Sequence, residues 1–462
     1  MSPQRIFASV ALVIALGSLE KSIVTTPLSI IGQDLNAGQA LTWVVTAYLL
    51  AATAVLPVYG KLSDIFGRVK MLNVSIVLFM LGSIACGLSD TLGQLIISRV
   101  LQGLGGGGLI ALAFTVIADS IPARIVGKYQ GYISIVYAVS SIAGPLLGGF
   151  FAEHLNWRWI FWVNLPLGIL ALWMVNNNLA HLSKGRKSPF DWKGAALLIS
   201  VTTLVLLLLS PESQLPIGWV SGALLLSLIL LYIVEKLAKD PILPARLVRL
   251  PGYLVSVILI LCSQLLMFAI LVYFPLQQQW QKGLTASESG LFMMIFMFSI
   301  TTGAFIGGKL IARWGNYKIF VMLGFLMASL ALWQLHFDFE VKLALILAGL
   351  GLGFTLPALS VVVQNVLPPR DRGIGMSLFN FGRELGGAIG VAVCSAIFHF
   401  QLPDNVLASS SNGLAGVDSQ LLASGFNSTY LMMATVAVVA FILAVLALKK
   451  RPLSDEVELD SE

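Results

Sequence analysis

Two opposite charges, Glu20 and Lys21, lie side by side in the apolar stretch IFASVALVIALGSLEKSIVTTPLSII, residues 6–31. A charge inside such a stretch is costly and usually pairs with another group or serves transport. Adjacent residues of a helix point about 100° apart, so these two side chains cannot pair with each other. We therefore predict a partner on another helix for each charge: Arg99 for Glu20 and Glu384 for Lys21.

A buried carboxylate paired with a guanidinium can couple proton binding to movement. A proton on Glu20 would remove its charge and free Arg99, and loss of that proton would restore the pair. A second stripe runs along one side of a helix through Ser377, Asn380, Arg383, Glu384 and Gly387. The pair Arg383 and Glu384 predicts equally well a contact between two parts of the molecule and the lining of a cavity.

The composition indicates that membrane-spanning helices position these charges. The chain of 462 residues is 57% hydrophobic and 11% charged, whereas a soluble domain has about 25% charged residues. An integral membrane protein is indicated. Fourteen segments are long enough to cross a bilayer as helices: 6–31, 40–59, 71–88, 92–117, 129–152, 159–180, 194–210, 217–235, 252–276, 286–308, 317–335, 343–367, 374–398 and 428–448.

The basic residues are distributed unevenly between the two sides of the membrane. If the N-terminus is cytoplasmic, the external gaps hold only Arg158, Lys282 and Lys342 of the 28 Lys and Arg residues. This positive-inside pattern predicts that both termini are cytoplasmic. The same pattern explains the excess of basic over acidic residues, so no nucleic-acid partner is needed to account for it. The predicted partner is the lipid bilayer.

An internal repeat divides the chain. GKLSDIFGRVK (60–70) and GKLIARWGNYK (308–318) match at an offset of 248, which also relates Arg124 to Arg372. Matches at one constant offset indicate duplication. The resulting division is a six-helix half (1–183), an inserted helix pair with its linkers (184–250), a second six-helix half (251–450) and an acidic tail (451–462).

The glycine-rich run GLGGGG, residues 103–108, allows two interpretations. A phosphate-binding loop needs a preceding strand and a following Lys-Ser or Lys-Thr, and the run has neither. Close packing of helices through small residues is therefore favoured. An enzyme is disfavoured as well, because no catalytic triad, metal-ligand spacing or pair of carboxylates stands out.

Four motifs occur in the order expected for one transporter family. They are GKLSDIFGR at 60–68, RVLQGLGGG at 99–107, AGPLLGG at 143–149 and WRWIFWVNLPLG at 157–168. Through them the chain resembles the major facilitator superfamily, and specifically its fourteen-span drug:proton antiporters. The resemblance implies an all-α membrane fold of two six-helix pseudo-repeats that rock around a central site.

The resemblance also implies roles for individual residues. A conformational latch would hold the cytoplasmic side closed, and an antiporter motif in the fifth span would seal the halves together. Polar or aromatic residues on the spans that face the cleft would bind substrate. The proton-coupling residues would be Glu20, Arg99, Arg383 and Glu384; the latch Gly60, Asp64, Gly67, Arg68 and Arg124; the antiporter motif Gly144, Pro145, Gly148 and Gly149; and the substrate site Lys21, Tyr48, Gln102, Gln264, Phe274, Ser299, Phe354 and Asn380.

The predicted function is export of an amphipathic or cationic organic compound in exchange for protons. No nucleotide-binding motif is present in the sequence, so a proton gradient would drive transport, without a cofactor or a bound metal. We expect a monomer in the inner membrane of a bacterium. The alternatives are a transporter specific for one metabolite or lipid, and a non-transporting sensor. Lys21 leaves the charge of the substrate open.

Overall fold

The computed structural model describes residues 3–35, 41–180, 189–209, 216–238, 240–400, 419–449 and 452–453. Helices account for nearly all of these residues. In chain order they are α1 (Pro3–Ile23), α2 (Leu28–Asp34), α3 (Trp43–Ala54), α4 (Leu56–Phe66), α5 (Arg68–Gly87), α6 (Leu92–Ser120), α7 (Ala123–His154), α8 (Trp159–Trp162), α9 (Asn164–Asn178), α10 (Trp192–Leu209), α11 (Ile217–Leu237), α12 (Ala245–Val248), α13 (Tyr253–Trp280), α14 (Ala286–Trp314), α15 (Tyr317–His336), α16 (Val341–Val366), α17 (Arg372–Phe400) and α18 (Ser419–Ala447).

Among the described residues, 13 helices are long and apolar enough to span a membrane, and α3 with α4 forms one further span bent by 42°. The sequence prediction of an all-α membrane protein with fourteen spans is therefore confirmed. The bend lies at Val55, between the two helices.

Both copies of the repeated motif are more helical than the sequence suggested. The stretch GKLSDIF, placed in a gap between spans, forms the end of α4, and its second copy ends α14. A glycine with positive φ then turns the chain in each copy, Gly67 at 93° and Gly315 at 64°. These two positions are again 248 residues apart, so the duplication extends to the backbone. Glycine suits them because a side chain strains this conformation.

Glycines of α6 bring the helices of the N-terminal half close together. A Cβ on Gly103 would lie 2.5 Å from the Tyr48 carbonyl oxygen, and one on Gly105 would lie 2.3 Å from the Phe79 nitrogen. The GLGGGG run thus packs α6 directly against α3 and α5, as predicted. This close packing positions Arg99, one turn before the run.

The inserted helices α10 and α11 pack against each other, and α10 also contacts α3 and α17. Most of α11 faces outward, as expected for a helix in contact with lipid. The insertion therefore contacts both halves rather than standing apart from them.

Candidate functional site

The carboxylate of Glu20 forms an ion pair with Arg99, and both side chains are almost completely buried, at 0% and 1% exposure. Glu20 lies on α1 and Arg99 on α6, so the pair lies within the N-terminal half. The Arg99 Nε also donates to the Val44 carbonyl (2.9 Å), and its guanidinium lies 4.4 Å from the centre of the Tyr48 ring. Every face of this cation is thus occupied by groups of one half.

Further polar side chains complete the surroundings of Glu20. Asn164 Nδ2 donates to the second carboxylate oxygen at 2.6 Å, and Arg99 Nη1 donates to Gln102 Oε1 at 2.6 Å. Gln102 Nε2 donates in turn to Ser83 Oγ at 2.8 Å. Buried charges need such satisfied neighbours. Asn164 and Ser83 were not predicted. Asn164 could have been, because it is a polar residue within the otherwise mostly apolar motif WRWIFWVNLPLG.

Lys21 pairs with a residue of the other half, whereas Glu20 pairs within its own half. Its Nζ lies 3.0 Å and 3.1 Å from the two carboxylate oxygens of Glu384. Lys21 belongs to α1 of the N-terminal half and Glu384 to α17 of the C-terminal half, so this pair joins the two halves. The side chains are 28% and 21% exposed. This pair is thus partly exposed, whereas the pair made by Glu20 is buried.

A second contact between the halves lies next to the first. Arg383 donates to Tyr137 Oη at 3.2 Å and lies over the rings of Phe114 (5.2 Å) and Tyr137 (5.5 Å). Phe114 belongs to α6 and Tyr137 to α7, both in the N-terminal half. Since Arg383 and Glu384 are adjacent, one turn of α17 contacts the opposite half with both a cation and an anion. Of the two sequence interpretations, the structure favours the contact between halves.

The predicted latch residues meet at the ends of the helices, on the side where α4 ends and α17 begins. Arg68 Nη1 donates to Asp64 Oδ1 (2.5 Å), and Arg68 Nε donates to Asp119 Oδ2 (2.7 Å). The Asp64 oxygens accept the backbone N–H groups of Gly373 (3.1 Å) and Ile374 (3.0 Å) at the start of α17. A carboxylate of one half therefore caps a helix of the other, where the helix dipole favours a negative charge.

Two features beside the latch close the same end of the molecule. A Cβ on Gly60 would lie 2.6 Å from the Gly373 carbonyl oxygen, so a glycine is needed where α4 meets α17. Gln364 Nε2, on α16, donates to the carbonyl oxygens of Ala118 (3.0 Å) and Ile121 (2.5 Å) in the N-terminal half. Gln364 and Asp119 were not predicted. The side chain of Arg124, predicted to join the latch, lies outside the described residues.

The antiporter motif does not lie between the halves, which corrects the sequence expectation. A Cβ on Gly144 would lie 2.0 Å from Ser22 Oγ, and one on Gly148 would lie 2.2 Å from the Ile23 carbonyl oxygen. Gly149 meets only Thr26, at 3.5 Å, and Pro145 lies inside the continuous helix α7. The motif therefore packs α7 against α1 of the same half. Its small residues serve intra-half packing of the segment that carries Glu20 and Lys21.

Instead, the N-terminal part of α7 contacts the other half. A Cβ on Gly127 would lie 2.9 Å from the Gly308 carbonyl oxygen, and one on Gly131 would lie 2.8 Å from Phe305 Cα. The glycines that bring α7 and α14 together thus precede the motif by about four turns of helix. Spacing alone did not distinguish the two glycine groups.

The predicted substrate residues fall into three groups. Lys21 and Tyr48 contact the charged residues Glu384 and Arg99, and Asn380 lies one turn before Arg383, donating to the Met376 carbonyl (3.0 Å). Gln102 belongs to the sealed network around Glu20 instead. The others pack inside the C-terminal half: Phe274 against Phe292, Phe354 against Phe320, Ser299 against Gly349, and Gln264 as a buried residue of α13.

Comparisons with known proteins give a consistent result. Residues 10–391 match the family model of the Major Facilitator Superfamily. The multidrug transporter protein MdtP of Bacillus subtilis is 31% identical over 395 residues, which cover 83% of this chain and 73% of that protein. An uncharacterised transporter of the same type from Mycobacterium tuberculosis is 31% identical, covering 98% of this chain and 71% of its own length. The fold is also that of a human organic anion transporter, MFSD10, with a TM-score of 0.67, 16% identity and coverage of 96% and 100% of the two chains.

Proposed function

The chain belongs to the major facilitator superfamily and is a transporter, and we propose that it exports amphipathic organic compounds in exchange for protons. The observation that carries the proposal is the ion pair between Lys21 and Glu384, which joins the two halves and is partly exposed. In transporters of this architecture, the halves rock as bodies around a site near the middle of the membrane. A pair that joins them must break or lengthen in each cycle.

Protonation of Glu384 supplies the reason for the pair to break. A neutral carboxyl no longer attracts the Lys21 ammonium, so a proton on Glu384 removes the ion pair that joins the halves. The state described has its cytoplasmic side closed by the latch, so this carboxylate would take its proton from outside. The proton would then release α17 from α1 and allow the cytoplasmic side to open.

The return half of the cycle uses the same carboxylate. On the cytoplasmic side Glu384 loses its proton, and the substrate occupies the site beside the ionised group. After reorientation, Lys21 reclaims the carboxylate and displaces the substrate to the outside. Proton and substrate occupy the site in turn, so each substrate exported would be exchanged for a proton.

Glu20 has a different part in this scheme from the one that the sequence suggested. Its partners Arg99 and Asn164 belong to the same half, so a rigid movement of the halves leaves their distances unchanged. Protonation of Glu20 would therefore not favour one orientation over the other. We assign the pair of Glu20 and Arg99 to the internal structure of the half, where it orients the α1 segment that carries Lys21.

The substrate class is inferred from the groups around the pair. Arg383, next to Glu384 in the chain, lies over the rings of Phe114 and Tyr137, and aromatic groups near the carboxylate suit a flat apolar compound. The names of relatives such as MdtP support several substrates rather than one. Two cations, Lys21 and Arg383, accompany the single carboxylate of Glu384, which disfavours compounds with several positive charges. A monomeric protein in the inner membrane, with both termini cytoplasmic, completes the proposal.

Transport into inverted membrane vesicles with an acidic lumen tests the proposal. The fluorescent aromatic compounds ethidium and Hoechst 33342 serve as probes. The wild type should accumulate a probe only while the pH gradient lasts, and Glu384→Gln should lose this accumulation. Glu153→Gln, which changes an exposed carboxylate on α7, is the matched control and should behave as the wild type. Gradient-driven accumulation by Glu384→Gln at the wild-type rate would overturn the proposal.

A further inference from the structure

The linker between the inserted helix pair and the second half carries a carboxylate and a guanidinium at the cytoplasmic face. Asp240 Oδ1 lies 2.5 Å from Lys61 Nζ, on α4 of the N-terminal half. Arg246, on the short helix α12, donates from Nε (2.9 Å) and Nη2 (2.7 Å) to the two oxygens of Asp371 in the C-terminal half. One short segment thus binds both halves through charges of opposite sign.

The linker is held in a fixed shape between these contacts. Glu235, in the last turn of α11, accepts the backbone N–H groups of Ile242 (3.2 Å) and Leu243 (3.0 Å). Arg246 also lies 3.9 Å from Asp240. The charges therefore form a chain from Lys61 through Asp240 and Arg246 to Asp371, and the end of α11 supports it.

The first contact of this chain is well shielded from water. The side chains of Lys61 and Asp240 are 4% and 13% exposed, so their attraction is screened less than that of a surface pair. Lys61 belongs to the latch motif GKLSDIFGR, yet Asp64 and Arg68 bond elsewhere. The lysine has a partner outside the duplicated halves.

The duplication supplies an internal comparison for Lys61. Its counterpart at the offset of 248 is Lys309, which is exposed and lies over the Phe305 ring at 4.1 Å. The two lysines occupy equivalent helix ends, and the ion pair with Asp240 of the inserted segment is made by the first. The insertion has therefore given the N-terminal copy a contact that duplication alone does not produce.

We propose that the linker after α11 is a second cytoplasmic latch, in which Asp240 holds Lys61 and thereby restrains opening of the cytoplasmic side. Arg246 and Asp371 anchor the linker to the C-terminal half, so separation of the halves must break the contact between Asp240 and Lys61. The inserted pair thus sets the balance between the two orientations. The inference rests on the alternating movement of the halves given under the proposed function, but it does not depend on protons.

Distances between spin labels on the purified, full-length protein test this second latch without substrate or gradient. The native cysteines are replaced, and labels are placed at the exposed positions Lys70 and Arg313, one on each half at the cytoplasmic face. Asp240→Asn and Lys61→Gln should each increase the population with a long label distance by about tenfold, between the effects of losing an exposed and a buried ion pair. Lys309→Gln is the matched control and should leave the distribution unchanged.

A charge exchange guards against a merely structural effect. The double variant Lys61→Asp with Asp240→Lys should return the distribution toward that of the wild type, while either single reversal should shift it further. Unchanged distances in both Asp240→Asn and Lys61→Gln would overturn the inference. Failure of Glu384→Gln to uncouple transport would overturn the proposed function and leave these distances unaffected, so the two failures are distinguishable.

Discussion

Adjacent residues of α1 form two ion pairs with different surroundings. The pair of Glu20 with Arg99 is sealed within the N-terminal half and surrounded by hydrogen-bond donors. The pair of Lys21 with Glu384 joins the halves and is partly exposed. Only the second pair can respond both to protons and to movement of the halves. We therefore expect loss of the first pair to affect folding and loss of the second to affect coupling.

The largest effect is expected from Glu20→Gln. It leaves the Arg99 charge buried without a counter-charge, which typically costs about 3 to 5 kcal/mol of stability. Thermal unfolding of the purified protein in detergent should show a clear fall in the midpoint. Glu384→Gln is the comparison and should unfold near the wild-type temperature. Equal losses of stability in the two variants would remove the distinction between the pairs.

Glu384→Gln should give the next largest effect, on transport. Loss of the charge removes the attraction for Lys21 and the proton site together. Proton-driven accumulation in inverted vesicles should fall to the level of vesicles without the protein. Movement of probe down its own gradient should continue. If that movement stopped as well, the variant would have lost transport and not coupling alone.

The packing of α7 against α1 can be disturbed next to both pairs. Gly148→Ala places a Cβ 2.2 Å from the Ile23 carbonyl oxygen, well inside van der Waals contact. Overpacking of this kind typically costs about 1 to 3 kcal/mol. We expect a lower unfolding midpoint and slower transport. Gly149→Ala, with only an ordinary contact to Thr26, is the matched control. Identical behaviour of the two variants would show that α1 is not held by this contact.

The smallest effect concerns the latch. Asp64→Asn keeps the shape of the side chain but removes the charge that caps α17, worth about 1 kcal/mol at a helix N-terminus. The population with an open cytoplasmic side should rise about fivefold, measured by the label distance between positions 70 and 313. The second copy has Ala312 at the equivalent position, where no carboxylate caps a helix. Ala312→Ser is therefore the control and should leave the label distance unchanged. No shift in Asp64→Asn would remove the latch from the account.

The sequence predicted the fold and the partners of both charges. Hydrophobic segments and the offset of 248 were sufficient for the fold, because they depend on chain length and helix geometry alone. The directions of neighbouring helical residues showed only that Glu20 and Lys21 need partners on other helices, and the role of Arg99 came from the family resemblance. The predicted pairs of Glu20 with Arg99 and of Lys21 with Glu384 are both present in the structure.

The details that depend on helix rotation and tilt could not be predicted. Gly144 and Gly148 face α1 rather than the other half, and Gln102 points into the sealed network rather than a cavity. Which face of a helix meets which neighbour is decided by packing across the whole bundle. For the same reason, the contact of Asp240 with Lys61 was not visible, since nothing in the spacing of the linker indicates where it folds back.

Proton release on substrate binding tests the central claim most directly. The purified protein in weakly buffered detergent solution is mixed with a probe compound, and a pH-sensitive dye reports released protons. Wild type and Glu20→Gln should release protons on binding, and Glu384→Gln should bind without release. Release from Glu384→Gln together with none from Glu20→Gln would contradict the account and place the proton on the sealed pair.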